Sequence, residues 1–315
     1  MKRLDWLPQL LAPVLLVVLV GAVAAATTSA GDEIKFRNAI VNVAIVVALY
    51  VFVGNSGVIS FGQVSFVAVG AFAAGLMTVP ADVKPGVLPD LFSFLKHHSV
   101  SSAWSLVLAA AVGGLYALLV GAPLMRLSGL AAGIATFAVL GVTYNILTYW
   151  TKIGPGATTL SLIPDTTDFL LATCGAVAVV VIAFAYQRSR FGRQLRAARE
   201  DPAAAQAAGI SVHRQRLWAF VLSGALSGFA GGLLVHLLGS ITTVIRSLFT
   251  SQITRFSGST GSGTDFGSTT DPTPGGKVTF PPGSWPWVSR TKKRENSATA
   301  MPCHFQPGRS FIILP

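Results

Sequence analysis

Three long stretches of this chain, residues 38–81, 97–125 and 217–245, contain no Asp, Glu, Lys or Arg at all. A soluble domain places charged side chains over its whole surface, at about a quarter of its residues, whereas here they make up 11%. In lipid the backbone polar groups must be satisfied within the segment or in a closed barrel. Uncharged, strongly apolar stretches of this length therefore fold as membrane-spanning helices. The fold class that follows is all-α, a polytopic transmembrane helical bundle.

A hydrocarbon core about 30 Å thick needs roughly 20 apolar residues per helix. About seven runs qualify or nearly qualify: 10–26, 39–53, 58–79, 105–124, 130–150, 169–186 and 217–239. Gly54-Asn55-Ser56-Gly57 is a turn signal between the second and third runs. Residues 80–96 form a polar, Pro-bearing loop, and Gly121, Pro123 and Arg126 end the fourth run. Lys2 and Arg3 before the first run, with small residues from Ala25 to Ala30, also have the layout of a signal peptide. The run exceeds a typical h-region and another span follows at once, which favours an uncleaved first helix.

The net charge of +11 reads as topology rather than as a nucleic-acid surface, so no nucleic-acid partner is expected. Seven helices threaded from a cytoplasmic N-terminus put ten basic residues inside: Lys2, Arg3, Arg126, Arg188, Arg190, Arg193, Arg196, Arg199, Arg214 and Arg216. Only five, Lys35, Arg37, Lys84, Lys96 and Lys152, fall outside, together with six acids. That bias obeys the positive-inside rule. The two cysteines, Cys174 and Cys303, form neither a disulfide framework nor a metal spacing. His97 and His98 read as residues of an exposed loop and His236 as an interfacial histidine, while Trp104, Tyr149 and Trp150 fit interface anchoring. No metal and no cofactor are expected. Gly275-Gly276-Lys277-Val278-Thr279 lacks the full phosphate-loop spacing, so any ATP would be bound by partner subunits.

The most informative stretch is the cytoplasmic loop 188–216, reading RSRFGRQLRAAREDPAAAQAAGISVHRQR. Asp201 is a good N-cap, Pro202 suits the first helical position, and the alanines to Ala208 favour helix. Gly209 is a natural C-terminal stop, with Ile210 placed for the capping contact. A short, doubly capped helix between two spans points to a docking surface rather than a free loop.

This loop resembles that of bacterial ABC importer permeases, in which Glu, Ala and a following Gly mark the coupling helix that sits on the ATPase subunit. The run F-G-R-Q-L-R-A-A-R-E-D-P-A-A-A-Q-A-A-G-I-S-V, then A-F-V-L-S-G-A-L-S-G-F-A-G-G-L, resembles the branched-chain amino acid permeases of the LivH/LivM family, closest to the LivM type. The resemblance implies coupling roles for Glu200, Ala204 and Gly209, with Phe191, Gly192, Arg193 and Arg196 ahead of them. Upstream, G-N-S-G-V-I-S-F-G-Q-V-S-F-V-A-V-G-A-F at 54–72 is similar to the family's G-x-x-G-x-x-S-x-G-Q-x-x-F-x-x-x-G-A-Y. Gly57, Gly62 and Gly70 leave little side chain there, which permits close helix contact or irregular backbone. Ser60 and Gln63, with Phe66, are candidates for the pathway or for helix packing. Thr136 and Asn145 are polar groups in the apolar fifth run, and Gly224, Gly228 and Gly232 form a packing stripe on the seventh. Departures from the family pattern are Gly141, where many relatives carry Glu, and Ile153-Gly154-Pro155-Gly156 in place of T-G-G.

The resemblance covers about residues 36–239. It implies a membrane-spanning permease subunit of an ABC importer for branched-chain amino acids or a related small substrate, in the bacterial inner membrane. The implied partners are cytoplasmic ATP-binding subunits, a second permease subunit, identical or related, and an extracytoplasmic substrate-binding protein, all meeting at the lipid bilayer. An ion-coupled secondary transporter is the alternative, and the absence of Asp or Glu within the spans counts against proton coupling. A membrane scaffold whose basic loop binds anionic lipid is another. The permease domain is then 1–239 and the remainder, 240–315, a low-complexity tail rich in Ser, Thr, Gly and Pro, expected to be disordered from about Ser257. It carries eight basic residues on what an odd span count makes the outer side, where members of the resembling family continue with further apolar spans. The expectation is a shifted reading frame near 240–251, with a genuine lineage-specific extension as the competing idea.

Overall fold

Runs of apolar residues with few β-branched clusters and no internal charge become helices once their faces are buried against one another. The computed structural model describes residues 7–27, 30–79, 100–127, 130–149, 163 and 167–240. Among these residues the regular structure is helical: α1 (Leu7–Thr27), α2 (Ala30–Ser56), α3 (Gln63–Thr78), α4 (Ser102–Leu124), α5 (Leu130–Tyr149), α6 (Phe169–Arg188), α7 (Arg190–Glu200), α8 (Pro202–Ala207) and α9 (Val212–Leu238). The expectations for His97, His98, Trp150, residues 153–156 and the tail beyond Ser240 lie outside the described residues.

Among the described residues five helices are long and apolar enough to cross a bilayer, and two further apolar helices, Leu11–Ala22 and Gln63–Thr78, are shorter. The protein is a polytopic helical membrane protein, as the uncharged runs require. The third run differs from its expected single span at 58–79. Its helix has 16 residues, about 24 Å at 1.5 Å per residue, because the chain from Gly57 to Phe61 is not helical. Gly57 adopts φ +68° and its N–H bonds Val53 O at 3.0 Å, a left-handed cap that ends α2. Two helices extend before their apolar runs into charged residues. α2 takes in Glu33 and Arg37, which pair one helical turn apart, and α9 takes in the polar turn His213–Arg216.

α9 is the centre of the bundle, packed between α3 and α4 and against α2. Glycine makes that possible at its tightest crossing, since a Cβ on Gly70 of α3 would sit 2.3 Å from Gly228 Cα. One core runs through α2, α3, α6 and α9. A second, at the end where α7 docks, centres on Phe66 and Phe220, whose rings meet edge to face with centroids 5.1 Å apart. Leu195 of α7 is buried in that second core with Phe52, Leu124 and Met125. The ends of α2, α4 and α6 and the start of α9 therefore share one end of the bundle with α7 and α8. At the other end Arg37 donates to Thr167 O, and Thr167 Oγ1 donates to Leu233 O at 3.2 Å.

Candidate functional site

The arm between α6 and α9 begins with Ser189, whose Oγ accepts from Gly192 N at 3.2 Å to cap α7. Gly192 is required by packing, because a Cβ there would lie 2.3 Å from Tyr186 O. α7 buries Gly192, Leu195 and Ala198 on one face and leaves Phe191, Arg193 and Arg196 exposed. Arg196 Nη2 donates to Gln187 O at 2.6 Å. Asp201, Pro202 and Gly209 mark the capped helix in the sequence, whereas α7 has no such signal, because its buried face of Gly192, Leu195 and Ala198 is only weakly apolar.

The caps of α8 form as the residue types require. Asp201 Oδ1 accepts from Ala203 N at 2.9 Å and Ala204 N at 3.0 Å, with Pro202 in the first turn. At the far end Gly209 takes φ +81°, Gly209 N bonds Gln206 O at 2.9 Å and Ile210 N bonds Ala205 O at 3.0 Å. This pair of bonds is the Schellman arrangement. Ile210 packs with Ala198, Ala205 and Val212. Of α8 only Ala205 is buried; Ala203, Ala204, Gln206 and Ala207 are exposed, as are Glu200 and Gly209 beside it. The result is a capped, exposed, alanine-rich helix at this end of the bundle.

The segment before α3 lies beside this arm. Arg199 Nη1 donates to Gly54 O at 3.0 Å, so two motifs 145 residues apart in sequence meet here. Phe61 N donates to Thr136 Oγ1 at 3.1 Å, and a Cβ on Gly62 would lie 2.5 Å from Thr136 O. Gln63 is 3% exposed; its Nε2 donates to Ser223 Oγ at 2.5 Å and Ser227 Oγ at 3.0 Å. Ser223 Oγ in turn donates to Ala48 O at 2.6 Å, tying α3, α9 and α2 together. Gln63 Oε1 and Ser60 Oγ are buried without a hydrogen-bond partner.

The remaining candidates separate. Thr136 is buried and donates to Gly133 O, so it braces the start of α3. Asn145 is exposed and donates along its own helix, to Gly141 O at 2.8 Å. Gly224 and Gly228 face Gly113, Ala117 and Ala109 of α4, and Gly232 faces Leu106, Ala109 and Ala74; the stripe packs within the chain. Phe66 stands between Phe220 and Tyr116.

His236 differs from its expected interfacial position. It is 0% exposed, with Nε2 2.8 Å from Ser105 Oγ and 3.5 Å from Thr78 Oγ1, because α3 and α4 close over it. Among the described residues no His, Cys, Asp and Glu cluster could hold a metal ion. An apolar groove of about 800 Å³ lies between α1 and α6, lined by Val18, Gly21, Phe169, Cys174 and Val177 among others. None of the candidate pathway residues lines it.

Residues 36–256 match the family model described as branched-chain amino acid transport system / permease component. The chain is 27% identical over 229 residues to the high-affinity branched-chain amino acid transport system permease protein LivM of Salmonella typhimurium, covering 62% of this chain and 50% of that one. LivM of Escherichia coli is 26% identical over the same shares. The "Probable branched-chain amino acid transport permease protein LivH" of Methanocaldococcus jannaschii is 41% identical over 70 residues, 21% of this chain and 22% of that one. The matched part of the chain thus spans half the length of the LivM relatives. No solved structure matches significantly.

Proposed function

The chain belongs to the branched-chain amino acid transport permease family, and from that premise we propose that it is the membrane-spanning subunit of an ABC importer for branched-chain amino acids or a related small substrate. The observation that carries this reading is α8: a doubly capped, exposed helix at one end of a bundle, joined through Asp201 to α7, whose Arg199 bonds Gly54 O near the end of α2. Ala203, Ala204 and Ala207 offer a surface of methyl groups that enters a groove closely, with Glu200 and the arginines of α7 around it for polar contacts. In this reading the α7–α8 end faces the cytoplasm, in keeping with the arginines at 188–216 and the positive-inside rule, and the protein resides in the inner membrane.

Cytoplasmic ATPase subunits bind and hydrolyse ATP, an extracytoplasmic binding protein delivers substrate, and a second permease subunit completes the pathway. Closure of the ATPase pair displaces α8. The bundle then shifts between two packings, each favoured by its own contacts. The Gln63–Ser223–Ser227 network and the glycine crossing of α3, α9 and α4 are where such a shift is felt. They are closely packed, so small displacements are not absorbed locally.

The test is reconstitution of the chain with ATPase and binding proteins of the branched-chain amino acid transport type from the same organism, followed by ATP-dependent uptake of Leu, Ile and Val. Uptake that requires all components supports the proposal. Stable association with no ATPase, or uptake driven by an ion gradient without ATP, refutes it.

A further inference from the structure

The chain devotes unusual local geometry to the contact between Arg199 and the end of α2. Arg199 sits at the end of α7, joined to α8 through the single cap residue Asp201. Its Nη1 donates to Gly54 O at 3.0 Å. That carbonyl is among the last four of a 27-residue helix and needs a donor from outside the helix ladder. A cation there also meets the negative end of the helix dipole. The arginine stem then runs across Gly57, where a Cβ would lie 3.0 Å from Arg199 Cγ, Cδ and Nε. Glycine at 57 thus serves two ends, the left-handed φ of +68° and the passage of Arg199.

The other end of the same segment is held by different groups. Phe61 N bonds Thr136 Oγ1, Gly62 backs onto Thr136 O, and Gln63 bonds Ser223 and Ser227. Between the two clamps residues 58–60 belong to no helix, and Ser60 Oγ is buried without a hydrogen-bond partner. A short non-helical link clamped at both ends passes displacement from one clamp to the other.

We propose that Arg199 is the positioning residue that carries movement of the α8 docking helix into the 57–62 segment and so into α3. The inference rests on the transport reading above. α7 moves with α8 because one residue joins them; Arg199 drags the end of α2 and Gly57; α3 follows through Gly62. Arg196 also meets a span end, donating to Gln187 O of α6 at 2.6 Å, but α6 already adjoins α7 through Ser189, so that contact opens no route to the 57–62 segment. Transmission therefore runs through a residue that the family motif alone does not single out.

The experiment uses the full chain with Cys174→Ser and Cys303→Ser, reconstituted with its ATPase subunits. The reporter is Ile59→Cys, an exposed position in the segment, and Leu16→Cys on α1 is the exposed control. Labelling by a small water-soluble thiol reagent is measured with and without a non-hydrolysed ATP analogue. The nucleotide should change the Ile59→Cys rate but not the Leu16→Cys rate. Arg199→Ala should still co-purify with the ATPase, lose the nucleotide response and lower uptake roughly tenfold, within the range of coupling residues. Arg199→Lys should restore part of the response, and Gly57→Ala, which obstructs the arginine stem, should lose it. A nucleotide response in Arg199→Ala equal to the parent overturns the proposal, as does loss of ATPase association in both Arg199→Ala and Arg199→Lys, which marks a structural role. If the parent itself neither binds the ATPase nor responds to nucleotide, the transport reading falls and this inference with it.

Discussion

Replacing Gly209 isolates the backbone contribution of the docking helix, because its surroundings are empty. Its φ is +81°, and a Cβ built there meets nothing within 4 Å. Any cost of substitution is therefore conformational and not steric. An L-residue in the left-handed region costs about 1–2 kcal/mol, and a β-branched one lies toward the upper end of about 1–3 kcal/mol for strained backbone. α8 has six residues, too few to persist without its caps. A loss of about 1–3 kcal/mol lowers the ratio of formed to unformed helix by roughly 5- to 150-fold. Asn tolerates the left-handed conformation and has nearly the volume of Val. Uptake and substrate-stimulated ATPase activity should therefore rank Gly ≈ Asn > Ala > Val, with membrane insertion unchanged. Equal activity in Gly209→Asn and Gly209→Val, whether both high or both low, would refute the conformational reasoning. The first outcome would mean the cap is dispensable, and the second would mean that bulk at the docking face matters.

Asp201→Ala removes the acceptor for two backbone N–H groups and should cost about 1 kcal/mol of helix stability; hydrogen exchange at Ala203 and Ala204 should rise, and Asp201→Ser should restore protection. Gly228→Leu drives a side chain into Ala109 O and Gly113, so it should lower the melting temperature in detergent by more than Gly209→Ala does, and an unchanged Tm would mean the crossing is looser than described. A double-mutant cycle of Gln63→Ala and Ser223→Ala should give a coupling of about 0.5–3 kcal/mol in thermal stability, and additive effects would show that the 2.5 Å bond contributes nothing.

Much of the fold was legible because the governing chemistry is local or one-dimensional. Uncharged stretches of bilayer length specify spans whatever they pack against, and the charge bias gives them a consistent threading. Caps are decided by residues two to four positions apart, so Asp201, Pro202 and Gly209 could be read as the ends of α8 directly. The third run shows the limit: hydropathy counts apolar residues, but Gly57 at a left-handed φ and a donor contact to Thr136, 75 residues away in sequence, broke the helix there.

What the tertiary structure decided are the pairings between distant segments. The glycine stripe announced a close crossing, yet only the bundle assigned Gly224, Gly228 and Gly232 to α4 while Gly70 of α3 meets Gly228. Ser60 and Gln63 carry similar polarity in sequence, but Gln63 is bonded to α9 and Ser60 Oγ is not bonded at all. His236 in an apolar run is compatible with an interface or a core; two helices from elsewhere in the chain supplied Ser105 and Thr78 and made it a core residue. Arg199 looks like its neighbours among the loop arginines, and only the approach of α2 distinguishes it. Hydrogen-bond partners depend on the positions of atoms a few ångströms apart in space, and a sequence fixes those only after its helices have packed.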